Sequence, residues 1–89
     1  MLEYRAAYYQ DRESGWYVGK VLDFPGVVSQ GRTLDRARRM LADAMREMTE
    51  WLLEDGQPIP RPDPTATDPG ADVVEPIRLL IRARSGTGP

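Results

Sequence analysis

Residues 23–55 read DFPGVVSQGRTLDRARRMLADAMREMTEWLLED, and the order of features within them sets the fold class. The first four residues are predicted to form a turn, because Pro25 cannot donate to a strand and Gly26 tolerates a positive φ angle. Asp23 can accept backbone N–H groups at the start of that turn. The short run VVSQ then favours a strand that ends at Gly31. A long helical pattern follows directly.

This amphipathic helix is predicted to begin after Thr33, whose hydroxyl is suited to accept an N–H bond in the first turn. Apolar residues recur at intervals of three or four and form one continuous stripe: Leu34, Ala37, Met40, Leu41, Ala44, Met45, Met48 and Leu52. Asp35 complements the positive end of the helix dipole, and Gly56 suits the position just past the helix end. Methionines in such a stripe more often give adaptable core packing than a binding groove. We therefore predict that the stripe packs against a sheet.

Two further β-favouring segments precede the turn, at residues 2–9 and 16–22, and the polar sequence DRESG joins them. So short a connection requires an antiparallel pair, because a parallel crossover needs a dozen or more residues. In the first segment the alternation places four residues on one face, namely Leu2, Tyr4, Ala6 and Tyr8.

The part of the chain after the helix is rich in proline. Residues 57–72 hold five prolines and are predicted to run extended over the surface. Residues 73–83 are predicted to form a fourth strand, whose beginning Pro76 confines to a sheet edge or a bend. Helix is the competing prediction for residues 77–84, and periodicity alone leaves both open. Residues 85–89 are expected to be a flexible tail.

The predicted order is β-β-β-α-β, an α+β fold with an antiparallel sheet and one long helix packed on one face. Residues 1–84 would form a single domain that includes the Pro-rich connection at 57–72. The helix can cover only one sheet face, so the other face is expected to carry a surplus of apolar side chains. We predict contacts with a partner protein at Tyr9, Trp16 and Tyr17. We predict self-association through Leu79, Leu80 and Ile81.

The composition excludes several classes of site. The 89 residues contain no Cys, which excludes disulfides, thiol catalysis and cysteine–zinc sites. They contain no His, which removes the commonest metal ligand and the side chain that most readily exchanges a proton near neutral pH. A net charge of −2 gives no general attraction to nucleic acid, and no apolar run is long enough for a membrane span or a signal peptide. We therefore expect a cytoplasmic protein with no membrane association, no cofactor and no metal.

Carboxylates near the predicted strand ends leave one catalytic hypothesis, a metal-dependent nuclease. Such a site needs several carboxylates that converge on the bound cations. Asp11 and Glu13 fall in a predicted loop, and Asp23 has a structural use in the turn, so we predict no catalytic residue. Arg78 and Arg82 make the last segment locally basic, but arginines that blunt an edge strand explain them as well as nucleic-acid binding does.

An ordered series of short motifs resembles the HicB family of antitoxins. The series consists of GWYV at 15–18, DFPG at 23–26, QGRTL at 30–34, a helix with Ala37 and Ala44, and IPRP at 59–62. The resemblance covers residues 2–62 and the final strand, which is most of the chain. The turn motif alone is weak support, but five elements in this order and spacing are fairly specific.

The resemblance implies a truncated RNase H-like domain without nuclease activity, which forms dimers or tetramers. It also implies a partner, since HicB proteins bind and block HicA toxins, small ribonucleases that cut messenger RNA and use a histidine. The mechanism implied is occlusion, in which the sheet and its aromatic residues keep messenger RNA from the active surface of the toxin. The alternative is an orphan member of the same fold, an oligomeric interaction or ligand-binding module with no toxin.

Two features depart from the family pattern. The helix start reads TLDRA at 33–37, where the family often has a Thr-x-Glu-Glu-Ala-like run, and Arg36 is unfavourable near a helix N-terminus. Many members also carry a C-terminal DNA-binding domain of ribbon-helix-helix or helix-turn-helix type. Too few residues follow the last strand here for such a domain, so direct DNA binding is not expected.

Overall fold

The computed structural model describes residues 1–80, which fold into a four-stranded antiparallel sheet with one long helix packed on it. The strands are β1 (Leu2–Gln10), β2 (Tyr17–Val21), β3 (Val28–Gly31) and β4 (Val73–Leu79), and the helix α1 spans Leu34–Glu54. Their order across the sheet is β3-β2-β1-β4, and each neighbouring pair is antiparallel. The predicted β-β-β-α-β fold is therefore confirmed.

The structure decides between the two predictions, strand or helix, that the apolar periodicity allowed near the end of the chain. Residues 77–79 lie in β4, so strand and not helix is correct for them. Pro76 lies in this strand at the edge of the sheet, as predicted, where its missing N–H costs no ladder bond to a further strand. The predicted end of the domain at residue 84 and the tail at 85–89 lie outside the described residues.

The core lies between α1 and one face of the sheet. Tyr4, Ala6 and Tyr8 alternate onto this face from β1 and pack with Leu41 and Met45 of the helix. The other fully buried members of the cluster are Val21, Phe24, Val27, Ala37, Ile77 and Leu79. The predicted helical stripe is confirmed except at Met40. That side chain lies at the margin of the stripe and is 52% exposed.

The start of the helix shows how closely β3 and α1 approach. The Thr33 hydroxyl accepts a hydrogen bond from the Arg36 backbone N–H at 3.1 Å, which confirms the predicted N-cap. A Cβ atom added at Gly31 would lie 2.6 Å from the backbone nitrogen of Ala37. Glycine is therefore required at position 31 because the helix backbone passes so near the strand.

The turn at 23–26 has the predicted conformation, with Gly26 at a φ of +90°. The Asp23 carboxylate has a wider reach than the turn alone. It accepts the backbone N–H of Arg5 in β1 at 2.9 Å and the backbone N–H of Asp63 in the Pro-rich connection at 2.8 Å. One carboxylate thus joins three segments that are far apart in sequence.

The later part of the Pro-rich connection lies against the sheet face opposite the helix, whereas Ile59 and Pro60 at its start contact the core side. Arg5 and Tyr9 point to the face opposite the helix, because they alternate with the core residues of β1. The Arg5 Nε donates to the carbonyl of Ala66 at 3.2 Å, and the Tyr9 hydroxyl donates to the Asp68 carboxylate at 2.5 Å. The expectation that this face has no cover within the chain is therefore wrong over β1. The helix within residues 1–80 is not long and apolar enough to cross a membrane.

Candidate functional site

Three sequence-predicted contact residues, Tyr9, Trp16 and Tyr17, fall in different environments. Gly19 and Val21 of β2 are buried toward the helix, so the alternating position Val18 points to the opposite face. Trp16 precedes β2 and shares the Val18 side, whereas Tyr17 packs against the core cluster. The structure therefore places Trp16 and Tyr9 on one side of the sheet and Tyr17 on the other.

We name the exposed part of that side the β2–β3 face, which consists of Trp16, Val18, Lys20, Val28 and Gln30. Val18 pairs with Gln30, and Lys20 pairs with Val28, so the four strand positions adjoin. Trp16 is 37% exposed and Val28 is 61% exposed. The Arg32 guanidinium lies 5.5 Å from the centre of the Trp16 ring, within cation–π range. This face is an apolar patch bordered by two cations.

Tyr9 is only half-exposed, because the Pro-rich connection covers it. Its hydroxyl donates to Asp68, and the Lys20 ammonium lies 5.4 Å from the centre of its ring. Burial raises the pKa of Tyr9 to about 12, with a further contribution from the hydrogen bond to Asp68. The same bond lowers the pKa of the Asp68 carboxyl. Tyr9 therefore holds the Pro-rich connection against the sheet, and its hydroxyl is already used in that contact.

The residues predicted for self-association are also separated. Leu79 is buried in the core of its own protomer, so its side chain is not exposed to a second copy. Leu80 is 68% exposed just past the end of β4. Ile81 lies outside the described residues. Of the two members within the described residues, Leu80 is the one whose side chain can contact a second copy.

Sequence reasoning missed a second apolar surface, on the helix. Trp51 is 60% exposed, and Met40 and Leu53 are also exposed. At about 100° per residue, Met40, Ala44 and Trp51 fall on one flank of the core stripe. Arg38 falls on the other flank, where it binds Glu75 of β4. We name the set Met40, Ala44 and Trp51 the Trp51 flank, and it lies on the side of β3.

The charge beside the Trp51 end of this flank has one sign, whereas Arg36 lies one helical turn before Met40 at the other end. From residue 47 to residue 55 the chain carries four carboxylates and no Lys or Arg: Glu47, Glu50, Glu54 and Asp55. The last turn of α1 contains no basic residue. Carboxylates at a helix C-terminus are electrostatically unfavourable, because that end of the helix dipole is already negative. In the sequence, Trp51 lies near the end of the apolar stripe and within this acidic run. That combination is the signal from which this surface could have been predicted.

A cleft of about 500 Å³ lies between α1 and β4. Among its lining residues are Tyr8, Arg38, Ala42, Glu75 and Ile77. The Arg38 guanidinium bridges both oxygens of Glu75 at 2.8 and 3.0 Å and also binds Asp35, and these bonds raise the pKa of Arg38. Burial raises the pKa of Tyr8 to about 12. Arg38 and Glu75, two of the charged groups of the cleft, are thus bonded to each other.

The candidate carboxylates of the nuclease hypothesis do not converge. Asp11 accepts the backbone N–H of Glu13 at 3.0 Å and the hydroxyl of Ser14 at 2.9 Å, and these bonds lower its pKa. Asp23 is bonded to two backbone N–H groups. Within residues 1–80 no three carboxylates come close enough together to hold a metal ion. Asp11 and Asp23 therefore each have a structural explanation, and the Glu13 carboxylate is exposed.

Comparison with known proteins supplies an independent result. The sequence model of the HicB-like antitoxin of bacterial toxin–antitoxin systems matches residues 3–81. The fold is similar to the N-terminal domain of the Burkholderia pseudomallei antitoxin HicB, with a TM-score of 0.71 and 27% identity over 90% of this chain and 100% of that one. No curated protein sequence matches this chain.

Two further solved structures share the fold. A longer Burkholderia pseudomallei antitoxin HicB aligns with a TM-score of 0.74 and 28% identity over 89% of this chain and 64% of that one. A chain of a HicA3 and HicB3 toxin–antitoxin complex aligns with a TM-score of 0.63 and 19% identity over 86% of this chain and 96% of that one. At 19% identity, the similarity to this chain of the complex shows a shared fold and nothing more.

Proposed function

We propose a function from the premise that the chain belongs to the HicB-like antitoxin family of bacterial toxin–antitoxin systems. The protein acts as a non-catalytic antitoxin that binds a HicA-type toxin. It occludes the active surface of the toxin and so keeps messenger RNA out. Its compartment is the cytoplasm, where messenger RNA is translated.

The family match over residues 3–81 carries this proposal. It is supported by the arrangement of the exposed surface, which is suited to a protein partner. Large apolar side chains stand exposed on two separate faces, with Trp16 and Val28 on one and Trp51 on the other. Exposed apolar patches bordered by charge are typical of protein interfaces, and tryptophan is enriched at their centres.

Trp16 remains our proposed toxin contact among the three residues predicted from sequence. It is exposed on the β2–β3 face, whereas Tyr9 is bonded to Asp68 and Tyr17 packs on the core. Tyr9 and Tyr17 would then act indirectly, by holding β1 and β2 in place. Truncation of Trp16 to Ala should weaken toxin binding, and truncation of Tyr17 should mainly reduce the stability of the domain.

Co-purification tests the proposal directly. A small basic reading frame adjacent to the gene, with a helix-borne His, is the candidate toxin gene. Its product, inactivated at that His, should co-purify with the tagged chain. The active form should cut messenger RNA until the chain is added in equal amount. Failure of the two products to associate at micromolar concentration would refute the toxin assignment and favour the orphan interaction module.

A nuclease is the competing catalytic function, and the truncated RNase H-like origin implied by the family resemblance motivates it. Incubation of the chain with RNA and Mg²⁺ should give no cleavage, because the Asp11 and Asp23 carboxylates are engaged in structural bonds. Cleavage by the wild-type chain that disappears in Asp23→Asn would overturn the non-catalytic assignment.

A further inference from the structure

We infer that the Trp51 flank is a docking surface for a basic protein, separate from the β2–β3 face. The inference rests on the proposed function in one respect, because the basic protein we test first is the toxin. The surface is built from the exposed side chains Met40 and Trp51, with Ala44 between them on the same helical line. Each of these two side chains has more than half of its surface exposed within residues 1–80.

Burial along the helix shows why this end is left open. The buried helical residues are Ala37, Leu41, Met45 and Thr49, and none follows Thr49 within α1. The final residues of the helix therefore extend past the fully buried core. Trp51 and Leu53 lie there with 60% and 49% of their surface exposed. A large apolar side chain that stays this exposed contributes little burial free energy to the folding of its own chain.

Charge complementarity identifies the occupant. Glu47 and Glu54 lie next to the flank on the helix surface, and Glu50 and Asp55 add to the same negative field. Glu54 and Asp55 lie at the C-terminal end of α1 and oppose the helix dipole, so they gain no stabilisation from it. A partner that presents cationic side chains around an apolar contact would pair with these carboxylates and cover Trp51. A second copy placed symmetrically would instead bring two sets of four carboxylates together, which repel.

Binding to the inactivated toxin is measured first for Trp51→Ala. We expect binding to weaken by about 30-fold, the value typical of a tryptophan at an interface centre. Trp16→Ala, measured beside it, reports on the β2–β3 face. Glu47→Lys should weaken binding and reduce its salt dependence. Glu3→Lys, the same charge change at the start of β1 outside the residues that pair with β2, should leave binding unchanged. Thermal unfolding of each variant excludes misfolding as the cause.

A second measurement uses a synthetic amphipathic peptide of Lys and Leu, so that the inference can be judged without the toxin. The chain has two tryptophans, and Trp16→Phe leaves Trp51 as the sole tryptophan. Its emission should shift to the blue as the peptide binds, and Glu47→Lys should abolish the shift. In Trp51→Phe, which retains Trp16, the peptide should leave the emission unchanged.

The outcomes separate the two proposals. A toxin that binds wild type and Trp51→Ala equally refutes the docking surface and leaves the antitoxin function intact. A toxin that binds neither, with a saturable peptide shift at Trp51, refutes the toxin assignment and supports the surface. A chain that is oligomeric as wild type and monomeric as Trp51→Ala, by light scattering, shows that the occupant is a second copy and overturns the inference.

Discussion

At the scale of single residues, Gly31 shows a steric limit on the fold. It lies at the end of β3, and its missing side chain allows α1 to begin only three residues later. Because its φ angle is not positive, the requirement for glycine comes from the nearness of Ala37 and not from backbone conformation. A single methyl group at this position would press against the helix backbone.

Gly31→Ala should therefore lower the free energy of unfolding by about 1–3 kcal/mol, the usual cost of overpacking. Gly70→Ala is the matched control, because its added Cβ meets only the Asp68 carboxylate at 3.4 Å. Urea denaturation of the three proteins measures both effects. Equal midpoints for wild type and Gly31→Ala would show that β3 and α1 can separate without cost.

Tyr9 and Tyr8 should make the stability of the domain fall at alkaline pH. The pKa of each is raised to about 12, above the value of about 10 expected in the unfolded chain. The stabilisation that accompanies the raised pKa is complete below pH 10 and is lost as the pH rises toward 12.

Absorbance titration at the tyrosinate band should detect both groups in the folded chain. Tyr9→Phe should remove one tyrosine from the part of the curve near pH 12. A wild-type curve in which all four tyrosines titrate near pH 10 would show that the connection does not protect Tyr9.

At the scale of elements, the Pro-rich connection behaves as a third layer of the domain. Its aspartates and backbone bind β1 and the turn, through Asp63, Asp68 and Asp72. Asp72 accepts the Gln10 backbone N–H at 2.8 Å and also binds Arg12, and these two bonds lower its pKa. The connection is therefore held by polar contacts along most of its length, although it has no regular secondary structure.

Asp23→Ala should release this connection at one end. Two backbone N–H groups, of Arg5 and Asp63, would lose their acceptor, and a donor left unpaired costs about 1–3 kcal/mol when water cannot replace it. We expect a loss in that range by urea denaturation. Asp43→Ala, which removes an exposed carboxylate paired only with Arg46, should change the stability little.

The C-terminal end of α1 is an element whose charges oppose its dipole. Glu54→Lys places a cation in the last turn and should raise the free energy of unfolding by about 0.3–1 kcal/mol at low salt. High salt should reduce the gain. A loss of stability in Glu54→Lys would indicate that the carboxylate makes a favourable contact within the fold, and would remove the electrostatic support for the docking surface.

At the scale of the whole molecule, the two exposed apolar surfaces carry opposite charge. The β2–β3 face is bordered by Lys20 and Arg32, whereas the Trp51 flank adjoins an acidic run. The net charge of −2 does not show that positive and negative side chains lie at different surfaces. A chain with two such surfaces can engage one partner at each without competition between them.

Self-association, as a dimer or a tetramer, is a further proposal for the whole molecule and depends on Leu80. Leu80→Glu should shift the molecular mass in light scattering toward that of a monomer, because a buried carboxylate without a partner disfavours the contact. Leu80→Met is the control that keeps the apolar character. An unchanged mass in Leu80→Glu would remove Leu80 from the interface.

The order of elements follows from the sequence by itself, because the features that set it are local. Pro25 and Gly26 restrict the turn, Thr33 caps the helix, and the three-to-four spacing from Leu34 to Leu52 defines one apolar stripe. The resemblance to HicB antitoxins rests on the same local motifs, and the family match confirms it.

Only the tertiary structure decided which surfaces remain available for binding. Tyr9 is bonded to a residue 59 positions away, and Tyr17 and Leu79 pack into the core. Trp51 is exposed because its side chain points about 100° away from that of Leu52, which packs against the core. Burial depends on contacts between segments distant in the chain, and a local pattern places a side chain on a face without showing what covers that face.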